Sequence, residues 1–380
     1  MTLPAAFDAS ALGRMLDGGG QNQNQKLLII VNDPQRDTNS RCILKAIADE
    51  IDLSNARILI AAGSHRFAEP DRRAFEADLT LGLAVGEIAW HDSKADDLVS
   101  IAGQWQGHRW LGSPAGAILA IGSVEPHYFA GYSGCHKTAT IGVASYADIQ
   151  TNHAGAISSA ARGGKLKNNP VHDGIIEMLR ALQSARPVIG VNTVQPGGKI
   201  VAINFGDPLT ALESSIPTAR EHFSQTFKSP ADAIIAEVSG ALGKSFYQAD
   251  KGIKNNEWAL ADGGVFILVA PCDDGIGQDN FLNILKSSTT HAQALQAVSA
   301  AGYSLGDHKA VRLRYLTDKS CRAVKLFIVS KSLPASLGKI LDAQIHPTLA
   351  SAIEASGIDQ PSNRVRHIKD AGNVCLSVEL

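Results

Sequence analysis

LLIIVNDPQR, residues 27–36, is the stretch on which the fold turns. Leu27 to Val31 is an unbroken apolar run of strand length, and Asp33-Pro34 ends it, because proline lacks the N–H a ladder needs. A strand apolar on both faces has to be covered on both, which points to a parallel sheet layered with helices. Working outward, Ser40 to Ile51 carries a helical pattern with Ser40 in the N-cap position. A second apolar strand, Ile58 to Ala62, stops at Gly63, and the helix formers Asp71 to Ala77 follow Pro70. The unit then recurs, with strands expected at Ala117 to Ile121, Val188 to Val191, Ile234 to Val238, Val265 to Val269 and Lys325 to Val329. Helices are expected between them, notably Asp173 to Gln183 and Pro208 to Phe223. Strands alternating with helices define an α/β protein built on largely parallel sheets flanked by helices.

A chain of 380 residues exceeds the usual single domain. A fresh strand after Lys228-Ser229-Pro230 marks a restart, so the expectation is an amino-terminal domain over 1–228 and a carboxy-terminal domain over 229–364 that closes over the site. The tail, 365–380, is expected to return to the first domain, and the active site to lie in the cleft between the two. Hydrophobic residues at 44% and charged residues at 19% describe an ordinary packed protein. A formal net charge of −2 gives no electrostatic footprint for nucleic acid or an anionic membrane. The first residues carry Asp8 and Asp17 and no cationic leader, and no apolar run approaches the roughly 18 residues of a membrane span. Five cysteines, odd in number and without CxxC spacing, argue against disulfides and a cysteine-rich zinc site. The expectation is a cytoplasmic protein acting on a small molecule.

Ligands of open α/β sheets sit beyond the carboxyl ends of strands, where Asp33 to Arg36 and Gly63 to Arg66 fall. The densest polar segment is EPHYFAGYSGCHKTAT, residues 125–140, in which Gly131 and Gly134 permit close backbone approach to a ligand. A phosphate-binding P-loop needs glycine directly before its lysine, and His136 stands there instead. No GxGxxG follows the first strand, which speaks against an ordinary nicotinamide dehydrogenase. Taken singly, these residues have plainer readings: Asp33 as a cap for the helix near Ser40, Arg36 and Lys137 as solvated loop charges, Gln248 and Lys251 as ordinary helix formers.

The run PHYFAGYSG from Pro126, with Lys137 and then Asn152-His153, resembles the signature of the nickel-dependent lactate racemases and their homologues. Asp33-Pro-Gln-Arg36 is similar to that family's Asp-x-Thr-Arg element, and Gly63-Ser-His65-Arg66 to its Gly-x-His-Arg element. Phe246-Tyr-Gln248-Ala-Asp-Lys251 and the glycine turn Ala270 to Gly277 resemble the carboxy-terminal pattern, so the likeness runs in order over about residues 27 to 280. The resemblance implies His65 and His127 as the catalytic pair. It implies Arg36 on the substrate carboxylate, Asp33 orienting the site, and Gln248 and Lys251 closing over substrate. Lys137 is implied as covalent anchor of a nickel-pincer pyridinium nucleotide, with Gly131 and Gly134 beside the cofactor and His153 as nickel ligand.

The implied activity is racemisation or epimerisation of a 2-hydroxy acid. Its Cα–H is weakly acidic, so hydride removal onto an electrophilic ring, while an imidazole takes the hydroxyl proton, avoids a carbanion. The partners implied are the small hydroxy acid and the enzymes that mature the cofactor. Departures from the family pattern fall around Arg36, where Gln35 and Asp37 flank it, and before Lys137, where Cys135-His136 stands. Asp37 and His136 are expected to bond additional hydroxyls, which suggests a larger acid such as a sugar acid. A non-catalytic binder of the hydroxy acid or nickel nucleotide, and a nicotinamide or zinc enzyme on a doubly wound fold, are the competing readings.

Overall fold

The computed structural model describes residues 3–17, 26–36, 38–112 and 116–379. By contact the chain forms two units whose division is not linear in sequence. One comprises Met1–Glu125, Tyr132–Asn152 and Val171–His222; the other comprises Pro126–Gly131, His153–Pro170 and Phe223–Leu380.

The first unit is built on a six-stranded sheet. Its spatial order is Ala202–Gly206, Val188–Val194, Ile118–Ser123, Leu28–Asn32, Arg57–Ala61, Glu87–Trp90. All neighbours are parallel except the edge strand Ala202–Gly206, which runs antiparallel to Val188–Val194. The apolar run at Leu28 is buried on both faces, as its composition requires. Ile29, Val31, Ile58, Ile60, Leu119 and Ile121 pack on one side against Ile43, Leu44 and Ile47 of the helix Ser40–Ala48. That helix starts one residue earlier than expected of its cap: Ser40 is its first residue and is buried, while Asn39 holds the cap position without a side-chain cap bond. The Asn39 N–H donates to Oε1 of Gln195, which ties the start of the helix to the strand end at Val194. From Leu28–Asn32 the chain winds outward through Arg57–Ala61 to Glu87–Trp90, then returns to place Ile118–Ser123 on the other flank. The switch point therefore lies at the carboxyl ends of Leu28–Asn32 and Ile118–Ser123.

The second unit holds a five-stranded, wholly parallel sheet ordered Ala343–His346, Lys325–Val329, Leu260–Val269, Ala231–Glu237, Val365–Ile368. Its core joins Ile234, Ala236, Phe266, Leu268, Leu326 and Ile328 to Phe246, Ile253 and Phe281 on the covering helices. The last strand, Cys375–Val378, pairs in parallel with Ser224–Phe227 in a separate ribbon of the same unit. The helix Asp307–Thr317 is exceptional: Asp307, His308, Lys309, Arg312 and Arg314 are all buried in it. Burying charge is costly unless partners offset it, and Nη2 of Arg314 donates to the carbonyls of Leu285 and Ile340.

Candidate active site

In the first unit, parallel pairing aligns Asn32 with Ala61, so the residues just beyond the two strands emerge side by side. Asp33 is 2% exposed, and its Oδ2 lies 2.8 Å from Nδ1 of His65. Its Oδ1 accepts from the Gln35 N–H at 2.9 Å. A carboxylate on Nδ1 holds the ring proton there and leaves Nε2 as the basic nitrogen, on an imidazole whose side chain is 39% exposed. Asp33 thus partners a histidine rather than capping the helix at Ser40. Arg36 follows in the turn closed by its N–H on the Asp33 carbonyl, and its guanidinium lies 3.7 Å from Oε1 of Glu125. Among the described residues that long contact is the ion pair of its guanidinium, whose fork of donors matches the geometry of a carboxylate.

A hydroxyl and amide chain closes the switch point. Thr138 donates to Oδ1 of Asn32 at 2.8 Å, Asn32 donates to Thr38 at 2.7 Å, and Thr38 donates to Ser123 at 3.0 Å. These bonds pin the short helix Cys135–Thr138 to the ends of both central strands, and the Cys135 N–H is held by Oδ1 of Asn192 at 2.7 Å. Burial pushes the Cys135 thiol up to about 12, so it is no nucleophile. From Phe129 to Ile141 every residue is buried except Lys137. Gly134 has φ 149°, and a Cβ there would sit 2.9 Å from the Asn192 side-chain Oδ1, so the backbone conformation and the packed Asn192 amide both favour glycine.

His136 departs from expectation. Its ring is fully buried against His172, centroids 5.6 Å apart, and among the described residues neither nitrogen has a hydrogen-bond partner. Burial, then the neighbouring His172 and Lys137, pushes its pKa down to about 3. A ring turned inward cannot bond extra hydroxyls of a substrate, which removes one reason for expecting a larger acid. Asp37, the other reason, lies outside the described residues.

In the second unit, His127 ends the short strand Pro126–His127 and is 7% exposed. The Ala130 N–H donates to its Nδ1 at 3.3 Å, so the neutral ring carries its proton on Nε2, opposite to His65. Tyr128 stacks on the His127 ring at 5.3 Å and 18°. Phe129 meets His127 edge-on at 4.5 Å and His153 at 4.9 Å, so one aromatic ring separates the expected base from the expected nickel ligand. His153 is half-buried near the end of the helix Tyr146–Ala154. Gly131 has φ 80°, and a Cβ would lie 2.4 Å from the Lys165 carbonyl. On the helix Phe246–Asn256, Gln248 is exposed and Lys251 half-buried one turn on, while Ala249, Asp250 and Gly252 to Asn256 are buried. The helix therefore offers these two polar side chains outward.

Four residues that contact the expected ones were not singled out from the sequence, Glu125 in the first unit and Tyr128, His308 and Arg312 in the second. Glu125 pairs with Arg36; Tyr128, His308 and Arg312 surround the His127 segment. Glu125 and Tyr128 lie inside the dense polar run, which is signal of a kind. His308 and Arg312 carried none, since a helix rich in charge reads as a solvated face.

The family model of the lactate racemase N-terminal domain matches residues 19–164, and that of the lactate racemase C-terminal domain matches 226–355. The lactate racemase of Thermoanaerobacterium thermosaccharolyticum is 31% identical over 293 residues, covering 73% of this chain and 67% of that protein. The lactate racemase of Lactiplantibacillus plantarum is 28% identical over 276 residues, 68% of this chain and 63% of that protein. The chain thus spans about two thirds of the length of these curated relatives. The lactate racemase apoprotein structure from T. thermosaccharolyticum shares the fold at a TM-score of 0.81 and 24% identity, over 99% of this chain and 90% of that one. A structural-genomics protein from Thermotoga maritima shares it at 0.71 and 16%, over 98% and 97%. Two domain matches in order and relatives at this identity leave one conclusion: the chain belongs to the lactate racemase family and is, with it, an isomerase of the racemase kind.

Proposed function

We propose that this chain interconverts stereoisomers of a 2-hydroxy acid, lactate or a larger relative, using His65 and His127 as its acid/base pair. The observation that carries the reading is the Asp33–His65 pair, a buried carboxylate that fixes Nδ1–H and leaves Nε2 basic at the carboxyl ends of parallel strands. Asp33 acts through the ring, holding its tautomer and stabilising the imidazolium once a hydroxyl proton arrives at Nε2. His127, protonated at Nε2 in its neutral form, presents a donor to a substrate oxygen. Arg36 binds the carboxylate, and the plane of its fork sets the orientation of the acid. Gln248 and Lys251, both turned outward from a buried helix, supply further polar contacts to substrate.

The residues present suit a tethered nickel-pincer nucleotide. Lys137 is the one accessible side chain in an otherwise buried run, as a covalent anchor has to be. Among the described residues no group of three or more His, Cys, Asp or Glu side chains could hold a metal ion by itself. A nickel nucleotide that supplies most donors of its own would need one imidazole from the protein, and His153 would be that ligand. When bound, the group supplies an electrophilic centre able to accept and return a hydride. Loading calls for cofactor-maturation enzymes as partners. Five free cysteines suit a cytoplasmic home, and among the described residues no helix is long and apolar enough to cross a membrane.

The test is mass spectrometry of the peptide containing Lys137, from chain made alongside the maturation enzymes, with the T. thermosaccharolyticum relative loaded in parallel. A sulfur-rich nucleotide adduct, lost in Lys137→Arg, together with interconversion of D- and L-lactate or of an aldonate, is the expected result. An unmodified peptide beside a loaded relative defeats the cofactor assignment, and a loaded chain that turns over no 2-hydroxy acid defeats the activity.

A further inference from the structure

His308 is 3% exposed on the helix Asp307–Thr317, and both of its ring nitrogens are engaged by tyrosine hydroxyls. Nε2 lies 3.2 Å from Oη of Tyr128, and Nδ1 lies 2.7 Å from Oη of Tyr303. A neutral imidazole has one donor and one acceptor nitrogen, so one tyrosine donates to it and the other accepts. Both tyrosine rings lie nearly parallel to the imidazole, at 30° and 26°. The same helix grips the main chain beside Tyr128. Arg312 donates to the carbonyls of Tyr128 and Ala161 at 3.2 Å each, while Glu257 neutralises it at 2.6 Å. Lys309 lies over the Tyr128 ring at 5.6 Å and the Tyr247 ring at 4.1 Å. Tyr128 is in turn the ring stacked on His127, and Phe129 contacts His127, His153 and His308 edge-on.

From this geometry we propose that His308 is a positioning residue, which orients the Tyr128 ring by hydrogen bonding and thereby fixes the His127 imidazole against which that ring is stacked. The inference rests on His127 serving as acid/base in the reading above. A buried imidazole bonded to two half-buried phenols is a costly way to fill space, since its polar nitrogens must be desolvated and an apolar side chain would pack as well. What the polar set adds is direction. Hydrogen bonds at both ends of the His308 ring forbid its rotation, and Tyr128 cannot slide along His127 without breaking one of them. The Ala130 N–H donates to Nδ1 of His127, so the ring is held by a hydrogen bond as well as by its stacked neighbour, both within one unit. Burial keeps the Tyr128 hydroxyl protonated throughout, its pKa being raised well above the usual phenol value.

The test uses the cofactor-loaded chain and compares His308→Phe, His308→Gln, Tyr128→Phe and the double variant Tyr128→Phe/His308→Phe. A misplaced acid/base group lowers turnover by about 10²-fold, and His308→Phe and Tyr128→Phe are each expected to show a loss of that order in kcat with KM little changed. The double variant loses no more than either single one, and His308→Gln, which keeps a donor and an acceptor, recovers part of the rate. In the unloaded chain, the ring-current-shifted NMR signal of the His127 Hε1 proton moves in both phenylalanine variants. Unchanged kcat and an unmoved His127 signal in Tyr128→Phe overturn the proposal, and so does a His308→Gln variant no better than His308→Phe. Should His308→Phe fail to fold, Tyr128→Phe alone decides. Full activity in His127→Ala would instead overturn the acid/base reading beneath it, a result the His308 variants cannot mimic.

Discussion

Acid should unfold the first unit through one imidazole more than through any exposed one. His136 is fully buried and has no hydrogen-bond partner among the described residues, and burial, His172 and Lys137 hold its pKa at about 3. In the unfolded chain the same group titrates near 6.5. Below that pH the unfolded state binds a proton that the folded state refuses, so stability is intact above 6.5 and is lost as pH falls towards about 3. Each unit of pH in that window costs about 1.4 kcal/mol, hence about 2 kcal/mol at pH 5 and about 5 kcal/mol at its lower end. His136→Leu removes this dependence, whatever its effect at neutral pH. Trp90, Trp105 and Trp110 lie in the first unit and Trp258 in the second, so fluorescence in a Trp258→Phe background reports urea unfolding of the first unit alone. Between pH 8 and pH 5 the His136 chain should lose about 2 kcal/mol more than His136→Leu. His91, His108 and His172 are also depressed by burial, but they are common to both chains and cancel in the difference. Parallel losses in the two chains would refute the reasoning.

Asp33→Asn keeps the shape of the pair but lets the His65 tautomer invert, so kcat of the loaded enzyme should fall by about 10²- to 10⁴-fold with KM nearly constant. Steady-state racemisation assays check this, and an unaltered kcat would show that the carboxylate does not serve the ring. Gly131→Ala places a methyl 2.4 Å from the Lys165 carbonyl at a φ of 80°, where β-carbons are disfavoured in any case. Thermal unfolding of the second unit should move down in line with a loss of more than about 2 kcal/mol, and an unchanged midpoint would contradict the close approach.

What the sequence made legible follows from how each group is satisfied. Strands such as Leu28–Asn32 and Lys325–Val329 announced themselves because parallel strands covered by helices are apolar on both faces. The edge strand Ala202–Gly206 did not, being half-buried along most of its length. The helix Asp307–Thr317 was invisible for the opposite reason. Its charges are buried and answered by partners far away in the chain, as Arg312 is by Glu257 and by the Tyr128 carbonyl. Periodicity records which side chains avoid water, and a buried ion pair breaks that rule. His136 misled in the same way: its polarity suggested a face turned to substrate, whereas the hydroxyl and amide bonds that pin its short helix turn the ring inward.

Asp33 and His65 were each placed at a strand end by local patterning, but their contact across 32 positions needed the order of strands in the sheet. The same limit hid the difference between the two candidate bases. Both occur as a histidine just past a strand or turn, and nothing in Ser-His or Pro-His says which nitrogen bears the proton. The folded chain assigns a carboxylate to Nδ1 of His65 and a backbone N–H to Nδ1 of His127, which puts the neutral rings in opposite tautomers. As the acid/base pair proposed above, two like side chains would be unlike reagents, one set to take a proton at Nε2 and the other to present one. The proposed inversion of a stereocentre through a planar 2-keto acid would use both abilities in a single turnover, one for the hydroxyl being deprotonated and one for the carbonyl being reduced.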